Sequence, residues 1–328
     1  MKAALFNLLL YTHGDAHLAY FKEVARLVRE QFPCRILFIQ LIGESASPGA
    51  SAAIQTDVQD CELIPISVPE ADWAHVPLLV FPQLIPDTPI YLLWGEDPSI
   101  GFPLFTLLGK LANRLILDSQ LTKNFGTFCQ DLLNRIQAQT ISCIVDMNWA
   151  RISGWLEVIG QTFDSPERLS QLAGASHVKI SYHSPQNSSF LFSERQAVYL
   201  QAWLSYRLGW RFRSFKGSVL EYQSRSSIVQ IHLCPKENPA LQPGEISDLE
   251  VLGQADYLCD LSRIEENQVR VYSANQNQCT IPFNLQLPTA RSGRRFMQEL
   301  FYQKMHPDYP NVLKQIVSVD WEARWNPS

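Results

Sequence analysis

Ala4 to Tyr11 is an almost unbroken apolar run closed by the turn residues Gly14-Asp15. It is too short for a helix and matches a strand buried on both faces. Within His17 to Phe32 the apolar residues Leu18, Phe21, Val24, Ala25, Val28 and Phe32 recur at helical spacing. Lys22, Glu23, Arg26, Arg29 and Glu30 fill the other side, and Pro33 ends the pattern. Arg35 to Ile42 is a second buried strand, so the chain opens as a strand-helix-strand unit, which implies a parallel sheet. Gly43 to Thr56 is rich in Ser, Ala and Gly without any period and reads as a loop. Beyond it the pattern predicts strands at 61–68, 90–94 and 114–117 and helices at 72–83, 102–111 and 123–137.

A second unit is expected from about residue 140. It has a strand at 141–145, helices at 152–163 and 166–173, and then a strand (178–182), a helix (193–208) and a strand (210–215). That last trio mirrors the opening of the chain and hints at an internal duplication. Short strands with alternating polarity follow at 219–223, 228–233, 249–253, 257–261, 269–272 and 279–283, an antiparallel meander, before two terminal helices at 292–305 and 309–316. The expected fold class is α/β. An N-terminal domain, 1–139, has three layers around a mostly parallel sheet; a C-terminal α+β domain, 140–328, carries the meander.

With 328 residues, 46% of them hydrophobic, and 27 Lys+Arg against 32 Asp+Glu for a net charge of −5, the chain has the composition of a globular protein with room for two cores. It offers no broad basic field for nucleic acid. No apolar run approaches the ~20 residues that span a bilayer. The segment before Thr12 contains Asn7 and no small-residue cleavage pattern, so it reads as a strand and not as a signal peptide. Seven cysteines are scattered singly with no Cys-x-x-Cys, which suits the cytoplasm and suggests small buried apolar residues.

Dinucleotide and nucleotide fingerprints are absent. The first strand leads to Thr12-His13-Gly14-Asp15 and not to a glycine-rich turn, and no G-x-x-x-x-G-K-[ST] occurs. The nearest string to a nucleophile elbow, Gly49 to Ala53, falls in the expected loop. His13 and His17 have i, i+4 spacing, but Gly14 breaks the helix that would align them, so no metal site is expected. Absence of familiar motifs does not exclude an enzyme.

Three places keep a functional reading. Trp94-Gly95-Glu96-Asp97 ends a buried strand, and ligands of open α/β sheets bind at the carboxyl ends of strands; an acidic turn is equally common where a chain leaves a sheet. Arg114 to Ser119 delivers Asp118 to the same edge, where capping of the next helix is the other reading. Arg291, Arg294 and Arg295 crowd the start of an expected helix. There they oppose its dipole and invite a phosphate or an acidic protein patch, unless they are simply solvated. Arg211 and Arg213 alternate with Trp210 and Phe212, which is read as a half-buried strand and not as a base-stacking surface.

Four segments carry a resemblance. Pro89 to Pro98, Arg114 to Ser119, Asp146-Met147-Asn148-Trp149-Ala150-Arg151-Ile152-Ser153-Gly154-Trp155, and Leu200 to Gly209 stand in the order and spacing of the OpcA family, the glucose-6-phosphate dehydrogenase assembly proteins. The family pattern has a tryptophan pair and a proline before the first Gly-Glu, where this chain has Leu93-Trp94 directly before Gly95. The resemblance spans about Leu5 to Ile316. It implies a non-catalytic cytoplasmic protein that binds glucose-6-phosphate dehydrogenase and promotes its assembly or allosteric activation, in support of NADPH production in the oxidative pentose phosphate pathway. On the matching positions, Trp94, Glu96, Asp97, Arg114, Asp118, Asp146, Trp149, Arg151 and Trp155 are the partner-binding candidates. Trp149, Trp155 and Trp203 also suit a core. In some members activation resembles a redox-dependent process, which would give cysteines a role. No cofactor and no catalytic residue are assigned. The alternative is a sugar-phosphate-binding protein or enzyme using Glu96, Asp118 and Arg294 or Arg295.

Overall fold

A computed structural model describes residues 4–14, 18–43, 62–139, 143–185, 193–216, 218–225, 227–288, 301 and 304–321. Two compact units emerge: Met1–Asn124, Asp131–Met147 and Met297–Met305 form the first, and Phe125–Gln130, Asn148–Phe296 and His306–Ser328 the second.

The first unit is built on β1 (Asn7–His13), α1 (Leu18–Gln31), β2 (Arg35–Ile42), β3 (Glu62–Pro69), α2 (Val76–Val80), β4 (Ile90–Trp94), α3 (Pro103–Leu111), β5 (Arg114–Leu117), α4 (Phe125–Gln137, its residues from Asp131 onward) and β6 (Cys143–Asp146), with Phe125–Gln130 of α4 belonging to the second unit. All six strands are parallel, in the order β3-β2-β1-β4-β5-β6. The central β1 is buried from Asn7 to Thr12, as its continuous apolar run requires. Chain order reverses between β1 and β4, so their carboxyl ends flank a topological switch point.

Two expectations change here. Cys143–Asp146, expected to open the second unit, is the sixth strand of the first sheet, its Ile144 and Val145 lying beside Leu115 and Ile116. A four-residue strand between two helices, three of its residues buried, fits either sheet, and only tertiary pairing decides. The helix expected at 72–83 is broken into a 3-10 turn at Glu70–His75, the short α2, and another turn at Phe81–Gln83. Pro77 and Pro82 each remove a backbone donor, and no piece exceeds about two turns.

The second unit contains α5 (Met147–Arg151, from its second residue onward), α6 (Ser153–Thr162), α7 (Pro166–Ala173), β7 (Ala175–His183), α8 (Arg195–Leu208), β8 (Arg211–Lys216), β9 (Val219–Gln223), β10 (Ile228–Lys236), β11 (Ile246–Gly253), β12 (Leu258–Glu265), β13 (Gln268–Ala274), β14 (Phe283–Gln286) and the terminal helix Tyr309–Val317. Its eight strands run β14-β13-β12-β11-β7-β10-β9-β8, and only β7 and β10 pair in parallel. The expected meander is therefore split by β7. The trio β7, α8, β8 does not repeat the opening unit, because β8 pairs only with β9, at the sheet edge. Exposed Arg211, Arg213 and Lys216 suit an edge strand, while β10, with Val229, Ile231 and Leu233 buried, takes the central place beside β7. The last strand begins at Phe283, and Cys279 contributes a single bridge to Ala274. Most of the helix expected at 292–305 lies outside the described residues.

Candidate functional site

The switch point of the first unit is filled by aromatic rings. Tyr11 and Trp94 are register partners on β1 and β4, and their rings stack with centroids 3.8 Å apart and planes 6° from parallel. Phe102 lies 6.4 Å from each ring, Phe105 lies 5.0 Å from Trp94, and both stacked residues are buried. Burial, reinforced by the Glu96 and Glu70 carboxylates, pushes the Tyr11 hydroxyl above the usual phenol range, so it stays protonated.

The turn after β1 has its own polar arrangement. The His13 backbone N–H donates to Glu96 Oε1 at 3.2 Å, and the Gly14 N–H donates to the Leu41 carbonyl at 2.9 Å. His13 Nε2 lies 3.3 Å from Glu70 Oε2, on the turn that follows β3. Gly14 has φ 61°, the left-handed conformation that glycine adopts without strain. Gly95 follows Trp94 so closely against β1 that its N–H reaches the Tyr11 carbonyl at 2.9 Å.

Dinucleotide pyrophosphates bind at this place in doubly wound folds, on free backbone N–H groups at the start of the first helix. The described residues do not fit that group. Two N–H donors of the turn are committed within the protein, a carboxylate occupies one of them, a second carboxylate stands on His13, and the crevice is packed with rings. Added negative charge would be repelled, not neutralised.

The remaining acidic candidates of this unit brace the carboxyl edge of the sheet. Buried Asp97 accepts hydrogen bonds from Ser99 N (2.9 Å), Ser99 Oγ (2.6 Å) and Lys123 N (3.2 Å), tying the turn after β4 to the approach to α4. Asp118 accepts from Gln120 N at 3.0 Å as a cap, and fully buried Asp146 accepts from Ser119 Oγ at 3.1 Å. Arg114 starts β5, so it lies at the opposite end of that strand from Asp118. Its guanidinium sits 5.4 Å from the Tyr91 ring centre and moderates the rise that burial imposes on the Cys143 thiol.

The other candidates belong to the second unit. Trp149 is buried against Tyr199, His306 and Tyr309, with ring centres 5.9, 5.5 and 5.4 Å away. Arg151 Nη1 donates to Asn148 Oδ1 at 2.9 Å. Arg151 and buried Trp155 border a cavity of about 20 Å³ with Gln196, Glu245 and Arg263. This holds about one water. The Leu200–Gly209 segment is structural in geometry: Gln201 Oε1 accepts from the Tyr222 hydroxyl (2.9 Å), Trp203 Nε1 donates to Asp308 (3.0 Å), and Gly209 at φ 67° closes α8. Arg291, Arg294 and Arg295 lie outside the described residues. Sequence reasoning passed over Glu70 and Tyr11 at the switch point, and an open groove of about 560 Å³ lined by Arg207, Arg211, Ser224 and Arg225. The first pair meets residues distant in sequence, and the groove draws on α8, β8 and the turn after β9. Among the described residues no cluster of His, Cys, Asp and Glu is arranged for a metal, and no helix is long and apolar enough to cross a membrane.

A doubly wound parallel unit followed by a unit on a wide mixed sheet is the architecture of two-domain dehydrogenases and reductases. A glucose-6-phosphate 1-dehydrogenase from Mycobacterium avium has a similar structure (TM-score 0.58, 10% identity, 99% of this chain and 93% of that one). KijD10, a 3-ketoreductase from Actinomadura kijaniata solved with NADP and TDP-benzene, gives a TM-score of 0.56 at 10% identity over 96% of each chain. At such identities the likeness is one of fold.

The family profiles of the glucose-6-phosphate dehydrogenase subunit match residues 25–137 with the N-terminal domain and residues 142–303 with the C-terminal domain, and the chain belongs to this OpcA family. Similar relatives are the "Putative OxPP cycle protein OpcA" of Synechococcus elongatus, 26% identical over 254 residues (70% of this chain, 54% of that one), and its namesake in Nostoc punctiforme, 26% identical over 239 residues (70% and 48%). The chain thus spans about half the length of the curated relatives it matches.

Proposed function

We propose that this chain is a non-catalytic accessory subunit that binds glucose-6-phosphate dehydrogenase and promotes its assembly or allosteric activation, supporting NADPH production in the cytoplasm. The observation that carries the reading is the switch point. A chain of the OpcA family has a dehydrogenase-like fold whose nucleotide crevice is packed by Tyr11 and Trp94 and lined by Glu70 and Glu96. Among the described residues this scaffold offers the dinucleotide no open crevice, which favours a role exerted through protein contacts. Its leverage is differential binding: it shifts the enzyme only by the amount it prefers the active form.

The test is the initial rate of the same organism's glucose-6-phosphate dehydrogenase against substrate, with and without equimolar chain, in reducing and oxidising buffer. A lower apparent KM or a higher kcat, together with a complex on a sizing column, is expected. No kinetic change in either buffer and no complex would sink the proposal. The arginine-lined groove of the second unit favours a second reading, a sugar-phosphate-binding protein. That reading requires a thermal shift with glucose 6-phosphate alone, abolished by Arg211→Glu.

A further inference from the structure

The two faces of the eight-stranded sheet differ in kind. On one, Val178, Ile180, Ile231, Leu233, Leu249, Val251 and Leu261 are buried, with α7 and α8 against them. The intervening positions are mostly polar and half-buried or exposed, except Ser181 and His183 toward the end of β7, which are buried. The register aligns one row across this second face. His232 of β10 pairs with Lys179 of β7, Lys179 with Glu250 of β11, Glu250 with Asp260 of β12, and Asp260 with Tyr272 of β13. Contacts across strands place these side chains on one surface. The His177 and His232 rings stack at 6.4 Å, Gln230 Nε2 donates to Glu221 at 3.3 Å, and Lys236 Nζ lies 2.7 Å from Asp248.

Charge on this face is divided. On the β7, β10, β9 and β8 side Lys179, Lys236, Arg211 and Lys216 outnumber Glu221, whereas on the β11, β12 and β13 side Asp248, Glu250 and Asp260 outnumber Arg270, and Lys236 already pairs with Asp248 across the line. The dividing line falls between β11 and β7, with four strands on either side. A line at the middle of the sheet is the condition for self-complementarity. A two-fold axis lying in the face, parallel to the strands and over this line, sets β7 above β11 and β10 above β12. In the aligned row Lys179 then meets Glu250 of a second chain as an ion pair, the neutral imidazole of His232 meets Asp260 of that chain as a hydrogen-bond donor, and each pair occurs twice. The perpendicular axis would set like charges against each other. Eight strands ~4.8 Å apart and about 20 Å long present roughly 700 Å², near the ~800 Å² per partner of a standard interface. Leu252 and Ile228, 38% and 41% exposed, add apolar area to the same surface.

We infer that this face is a self-association surface, on which a second copy of the chain packs sheet to sheet about that axis. It goes beyond the proposed function and does not depend on it. The experiment uses the purified full chain in light scattering and sedimentation from 1 to 100 μM, with two charge-reversed variants, Glu250→Lys/Asp260→Lys and Lys179→Glu/His232→Glu. The wild type is expected at twice the 37.4 kDa of one chain, with a dissociation constant at least tenfold weaker in 0.5 M than in 0.05 M salt. Each variant alone is expected to be monomeric, and their equimolar mixture to restore a dimer, which also shows that both are folded. A wild type that stays monomeric across the range, a dimer unaffected by either variant, or two monomeric variants that fail to pair when mixed would overturn the inference. So would a face that becomes protected only when the dehydrogenase is added.

Discussion

Replacing Gly95 by alanine tests the packing of the switch point. A Cβ built there falls 2.5 Å from Phe21 Cε2, 2.7 Å from Phe21 Cζ and 2.6 Å from the Tyr11 carbonyl oxygen. The phenyl edge has room to pivot only by disturbing the inner face of α1, where Phe21 is fully buried. The carbonyl has less freedom, because it belongs to the central strand and accepts the Gly95 N–H at 2.9 Å. Relief therefore demands that β4 move away from β1 at the point where Tyr11 and Trp94 stack. Overpacking of this kind costs about 1–3 kcal/mol, and the backbone clash puts Gly95→Ala in the upper part of that range. For units of this size that corresponds to a fall in Tm of roughly 3–10 °C. Gly109→Ala and Gly160→Ala are controls of opposite sign. Both lie in helices, a Cβ meets nothing within 4 Å at either, and alanine should stabilise by about 0.5–1 kcal/mol. Urea and thermal unfolding followed by tryptophan fluorescence would report all three. A Gly95→Ala protein within about 0.5 kcal/mol of wild type would refute the reasoning, since it would show that β1 and β4 part without resistance.

Other outcomes follow from the same geometry. Millimolar NADP⁺ or NADPH should leave the Tm of the purified chain unchanged, and a rise of several degrees would show that the rings and carboxylates of the crevice yield to a dinucleotide. Asp97→Ala should cost about 1–3 kcal/mol in chemical denaturation, because it strands the Ser99 and Lys123 N–H groups; an effect near zero would mean that the turn is not braced there. His232 and His306 are both held below the usual histidine range, chiefly by burial. The folded state thus favours their neutral forms, so their contribution is intact above about pH 6.5 and is lost as pH falls from there through their lowered folded values. His232→Gln should reduce that acid loss, and a wild type equally stable at pH 7 and pH 5 would contradict the assignment.

Much of the first unit was legible from periodicity alone. Continuous apolar runs such as Leu8 to Tyr11 and Leu115 to Leu117 identify doubly covered strands, and the amphipathic stretch before Pro33 identifies α1. Strand order was not legible, because the glycine fingerprint that announces a doubly wound unit is missing while the unit itself is present. The Tyr11–Trp94 stack was hidden for a related reason. Tyr11 and Trp94 read as ordinary strand residues, and the meeting of His13 with Glu70 and Glu96 joins segments more than fifty residues apart. In the second unit, alternation found most strands, but nothing local says that β7 enters the middle of the meander. That place is set by the match of its apolar face to those of β10 and β11. The candidate residues fall at separate places in the fold. Asp97, Asp118 and Asp146 reach one edge of one sheet, Arg114 begins a strand at the far edge, and Trp149 and Trp155 are core side chains of the other unit.

The proposed function and the proposed self-association constrain each other through valency. On the proposed function the chain alters its enzyme through contact energy, and a tenfold change in apparent substrate affinity requires about 1.4 kcal/mol of preference for the active form. A monomer must find that preference at a single contact. A two-fold dimer presents two, and on an oligomeric enzyme the second engagement becomes intramolecular, so a weak individual contact suffices. The activation curve then distinguishes the cases. If the sheet-face dimer is the active species, Glu250→Lys/Asp260→Lys should shift the half-saturating chain concentration upward by at least tenfold while leaving the rate at saturation unchanged. Adding the complementary variant Lys179→Glu/His232→Glu should restore it. If the charge-reversed chain activates at the wild-type concentration while running as a monomer, dimerisation is separate from activation and the contact with the enzyme lies elsewhere on the chain.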